Sequence, residues 1–161
     1  MKAVEIKKTG GPEVLELKDI TLDNPGSEQV TIEQKAIGLN YIDTYHRSGL
    51  YPLKLPTGIG LEGAGIITDI GKNVKDFKVG DKISYAGIPL GSYSTHRNYP
   101  TKNLVKVPDS IDLEVAATLM TKGLTTFYLL YKTFPVKSGQ TILYHAAAGE
   151  LVKYLVSGLK V

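Results

Sequence analysis

Tyr45 and Tyr51 flank a stretch that spaces Ile42, Tyr45 and His46 like one helix face, with Asn40 just ahead of it. Tyrosine offers an aromatic wall and a hydroxyl donor in one side chain. The plainer reading is that two tyrosines beside a short helix are ordinary core or surface aromatics. Asp43 could bind a substrate, yet with Arg47 it forms an i,i+4 pair for which a salt bridge is at least as good an account. Lys122, Thr125 and Thr126 lie on the apolar helical stretch after Asp109, where a solvated lysine is the commoner case. His46, His96 and His145 are the only histidines and lack metal-ligand spacing; none is a candidate general base, and His145 is expected to be a hydrogen-bonded structural residue. The chain has no cysteine, which removes disulfides, thiolate nucleophiles and every cysteine-based zinc site.

The elements that must position these residues are mostly strands. Ala3 to Lys7 and Val14 to Lys18 alternate around the turn Gly10-Gly11-Pro12 and predict a first hairpin. Gln29 to Ile37 keeps the same two-residue period through Val30, Ile32 and Ala36, as a half-buried strand should. A short helix over 40–49 stops at Ser48-Gly49. Glycines from Gly58 to Gly91 interleave with Ile66, Ile67, Val79 and Ile83, which marks bulges and barrel corners. From Asp109 a nearly continuous apolar helix face runs to Tyr131, with Gly123 as a place where it could divide in two. Thr141 to His145 reads as a parallel strand buried on both sides, Ala146 to Gly149 as a tight turn, and Glu150 to Gly158 as an amphipathic helix capped by Gly158.

A chain of 161 residues can bury one good core but is short for two full domains. Its 19 basic and 16 acidic residues give a net charge of +3 without a basic stripe, so nucleic acid is an unfavoured partner. Glu5 breaks any apolar signal core, and no run approaches the roughly 18 apolar residues of a membrane span. A soluble, cytoplasmic protein is expected.

Several motifs occur in order: Gly10 to Leu15 (GGPEVL), Lys35 to Tyr45 (KAIGLNYIDTY), Arg47 to Pro52 (RSGLYP), Gly60 to Gly65 (GLEGAG), Val79 to Lys82 (VGDK), Thr121 to Thr126 (TKGLTT) and His145 to Gly149 (HAAAG). Together they resemble the bacterial NADPH:quinone oxidoreductases related to zeta-crystallin, zinc-free medium-chain dehydrogenases/reductases. The resemblance covers residues 1 to about 149. Zinc-dependent relatives keep a cysteine and a Gly-His-Glu motif where this chain has Asn40-Tyr41 and Gly60-Leu61-Glu62, and a lone Glu62 cannot replace about three metal ligands. Glu62 is expected to hold backbone N–H groups in its glycine-rich turn.

The resemblance implies a mainly β fold with helices: a GroES-like, partly open β-barrel catalytic domain over 1–125, the start of a truncated Rossmann α/β domain over 126–149, and a residual C-terminal helix over 150–161. It implies transfer of reducing equivalents from NADPH to a quinone or conjugated carbonyl without metal. Asn40, Tyr45 and Tyr51 would line the catalytic cleft; Tyr41, Ile42, Asp43, Thr44, Tyr45, Lys122, Thr125, Thr126, Ala148 and Gly149 would touch the cofactor. In relatives the turn after Gly149 continues with small residues into a helix N-terminus that grips pyrophosphate. Here Glu150, Leu151 and Val152 follow, so NADPH binding is compromised and the chain by itself is expected to be impaired or inactive. The alternative is a non-catalytic GroES-like binding module or a gene remnant. The Thr141–His145 strand, lacking sheet neighbours, would have to pack on the terminal helix, self-associate with another chain or fray, and a separate chain could supply the nucleotide domain.

Overall fold

The computed structural model describes residues 1–146, 148–149 and 151–158. The contacts gather into two compact units, Met1–Thr118 and Leu119–Val161.

The first unit carries two antiparallel sheets. β1 (Lys2–Ile6) lies between β2 (Glu16–Asp19) and β4 (Thr57–Gly58), while the larger sheet runs β7 (His96–Pro100), β3 (Gln29–Gly38), β5 (Glu62–Ile70), β6 (Lys82–Ala86), β8 (Leu104–Lys106). The expected pairing of the first two strands is present, with Val4 opposite Leu17. The second strand starts later than its alternation suggested, because Pro12–Val14 forms a 3₁₀ turn that buries Val14. Val30, Ile32, Ile67, Ile83, Tyr85 and Tyr99 form the main core. β3 departs from simple alternation at Thr31, which is also buried and whose hydroxyl donates to Asn98 Oδ1 at 2.7 Å. Register shifts between Thr31 and Ile32 and between Gln34 and Ala36 bend β3 against β5.

Arg97 shows how a buried charge is held. Its guanidinium lies over the Tyr99 and Tyr85 rings, 4.6 and 5.1 Å from the centroids, and donates to the Pro89 and Leu90 carbonyls at 2.7 and 3.1 Å. Burial pushes the Tyr85 hydroxyl up to about 12, which keeps it a proton donor at neutral pH, and it donates to Gln34 Oε1.

α1 (Tyr41–Ser48) follows β3 and ends at Gly49, whose φ of 87° is the left-handed cap expected from the sequence. α2 (Leu113–Tyr128) is one uninterrupted helix, so Gly123 does not divide it. Its first turn packs Ala116 and Ala117 against Ala64, and the Ser84 hydroxyl donates to the Ala116 carbonyl at 2.8 Å.

The second unit holds the rest of α2, a π-helical turn at Leu129–Thr133 and α3 (Leu151–Gly158). Thr126, Leu130 and Leu155 are buried, and the Tyr131 hydroxyl donates to the Gly158 carbonyl at 3.1 Å. Gly158 belongs to α3 itself instead of capping it. The expected buried strand over 141–145 is absent: the segment is irregular, with Leu143 83% exposed and His145 exposed as well. A parallel strand needs neighbours for its N–H and C=O groups, and among the described residues no strand pairs with it. His145 therefore has no buried structural role, and the segment is left irregular, as fraying, one of the outcomes expected for it, would leave it. The expected positions of Ala147, Glu150 and Leu159 to Val161 lie outside the described residues.

Candidate functional site

α1 is built so that its tyrosines face outward and its polar start faces the barrel. Tyr41, Tyr45 and Tyr51 form an edge-to-face row with centroids 5.3 and 5.4 Å apart, and Tyr51 also meets the His46 ring at 6.0 Å. Tyr41 is 76% exposed and Tyr51 47%, so the row opens to solvent. His46 is buried under it.

Asn40 stands at the entry to α1. Its side-chain amide donates to Glu62 Oε1 at 2.8 Å, and its backbone N–H donates to Asp43 Oδ2 at 3.0 Å. Glu62 is fully buried at the start of β5. It thus receives the Asn40 side chain, a role not expected from the sequence. Asp43 is buried too, and Oδ2 accepts a second hydrogen bond from the Tyr93 hydroxyl at 2.9 Å. Burial pushes the Asp43 carboxyl above its ordinary range and also raises the Tyr93 hydroxyl.

The anticipated Asp43–Arg47 salt bridge is not formed. Asp43 turns inward to cap its own helix, and Arg47 Nε donates to the Gly10 carbonyl at 3.3 Å. The Gly10 N–H returns a bond to the Arg47 carbonyl at 3.0 Å. Ile42 and Thr44 are half-buried on α1, and the Thr44 hydroxyl donates back to the Tyr41 carbonyl. Tyr93 is the residue that sequence reasoning missed, since nothing local marks a side chain whose partner lies fifty residues away.

The structure therefore brings Tyr41, Tyr45 and Tyr51 together in the first unit, with Asn40 just ahead of Tyr41 in the chain. Lys122, Thr125 and Thr126 belong to the second unit, in the later half of α2 and not at its N-terminal turn. Thr126 is buried. Ala148 and Gly149 are exposed in a turn closed by the Gly149 N–H on the Ala146 carbonyl at 2.9 Å.

Comparison with known proteins gives this arrangement its family. The model of the alcohol dehydrogenase GroES-like domain matches residues 26–109. The chain belongs to the GroES-like domain family of alcohol dehydrogenases. A quinone oxidoreductase from Pseudomonas aeruginosa is 52% identical over 149 residues, covering 92% of this chain and 46% of its own. A 2-haloacrylate reductase from Burkholderia is 41% identical over 160 residues, covering 96% and 48%. The solved Escherichia coli quinone oxidoreductase complexed with NADPH has a TM-score of 0.96 at 43% identity over 99% of this chain and 49% of that one. This GroES-like chain spans about half the length of the curated relatives it matches.

The sequence has no cysteine, and among the described residues no three His, Asp or Glu side chains gather. The strand expected to lead into a dinucleotide phosphate turn is not formed over 141–145.

Proposed function

We propose that the first unit binds a quinone or conjugated carbonyl compound against Tyr41, Tyr45 and Tyr51, as the acceptor side of an NADPH:quinone reductase that works without metal. The single observation that carries this reading is the solvent-open tyrosine row beside Asn40. A flat acceptor stacks on such a row, and the tyrosine hydroxyl groups favour the negative charge that grows on its oxygen during reduction. The names of the relatives, quinone oxidoreductase and 2-haloacrylate reductase, support acceptors of this kind. NADPH would supply the hydride, and it needs a complete nucleotide domain beyond the residues described. The 161 residues are therefore assigned the binding of the acceptor. The cysteine-free sequence is compatible with a cytoplasmic setting, and no helix among the described residues is long and apolar enough to cross a membrane.

The test is a titration of the chain with duroquinone, followed by NMR of the tyrosine rings. Tyr45 and Tyr51 signals should shift together, and Tyr51→Ala should weaken binding about five-fold, the worth of one aromatic contact. Unmoved signals at millimolar duroquinone would remove the reading. In parallel, NADPH oxidation by the chain with duroquinone should stay near background.

A further inference from the structure

Asn40 is held by groups whose own positions are fixed from deep inside the barrel. Arg97 Nη1 donates to the Tyr85 hydroxyl at 3.3 Å, and Tyr85 donates to Gln34 Oε1. Gln34 Nε2 then faces the Ser92 and Ser94 carbonyls at 2.7 and 2.8 Å and clamps the loop on either side of Tyr93. The Tyr93 N–H donates to the Ile59 carbonyl at 3.0 Å, and a Cβ on Gly60, whose φ is 99°, would run into the Tyr93 ring. So Tyr93 has a fixed backbone and a fixed ring, and its hydroxyl ends on the same Asp43 oxygen that receives the Asn40 N–H.

We propose that Tyr93 is a positioning residue: through Asp43 it sets the entry of α1 and thereby the aim of the Asn40 amide, which donates to Glu62. Two donors on one buried carboxylate oxygen fix where the helix begins, since moving Asp43 breaks both bonds. Tyr93 does not touch the acceptor itself. Its hydroxyl acts on Asn40, across the chain from it, by way of one carboxylate.

The quinone arm of the test rests on the function proposed above, and the Asn40 arm does not. Tyr93→Phe keeps the ring against Gly60 and removes only the hydroxyl. In the free protein it should shift the Asn40 side-chain amide resonances while leaving those of Asn98, on β7, in place. Duroquinone binding should weaken about five-fold, as for one lost hydrogen bond. Unmoved Asn40 resonances overturn the proposal. If the wild-type chain binds no duroquinone and the Asn40 resonances still move, the proposal stands and the acceptor reading fails. Should Tyr93→Phe not fold, 3-fluorotyrosine at position 93 takes its place: it keeps the ring and alters only the hydroxyl's donor strength, so moved Asn40 resonances support the proposal and unmoved ones overturn it.

Discussion

Asp43 is a carboxyl buried at the start of a helix, facing Tyr93, His46 and Glu62. Burial raises its pKa above the ordinary 3.8 and outweighs the bonds from the Asn40 N–H and the Tyr93 hydroxyl, which favour the charged form. A carboxyl with a raised pKa in the folded chain holds its proton more tightly there than when unfolded. Its contribution to stability is complete below pH 3.8 and is lost as pH rises through the elevated folded value. Asp43→Asn cannot titrate, so wild-type stability measured against that variant in urea should decline across this window. A difference that stays level, or grows with pH, would show that hydrogen bonding and not burial governs the group.

At the scale of elements, the end of β3 and the first turn of α2 approach each other across Gly38. A Cβ there would strike the Glu62 carboxylate and the Ala117 carbonyl, both of fully buried residues. Gly38→Ala should cost about 2 kcal/mol, as overpacking does, seen as a lower urea midpoint at unchanged slope. An unchanged midpoint would mean that the turn of α2 slides aside freely. Much of this level was legible in the sequence. Ile42, Tyr45 and His46 at helical spacing with Gly49 behind them announced α1, because local period and cap chemistry decide a short helix. Tyr93 on Asp43 and Asn40 on Glu62 were hidden, because such pairs depend on how distant strands are brought together. Thr141 to His145 was misread because an apolar, β-branched run is only a strand when another strand lies beside it.

For the molecule as a whole, the two units differ in what holds them. The first has two sheets and a core of fully buried isoleucines and tyrosines, while the second rests on a few buried side chains of α2, the π-helical turn and α3. Amide hydrogen exchange should therefore divide the chain. Ile32 and Ile67 should exchange slowest, and Ile142 and Leu143 within the shortest labelling times. Slow exchange at Ile142 and Leu143 in dilute solution would restore the strand that the fold lacks.

One consequence lies in how α1 is fastened. Asn40 and Asp43 secure it at one end, and the reciprocal Gly10–Arg47 bonds secure it at the other. A helix moored fore and aft has little freedom left to surrender when a planar molecule settles on it. Encounter should then proceed in a single kinetic phase, and discrimination among visitors should follow from their flatness and outline instead of from any remodelling of the protein.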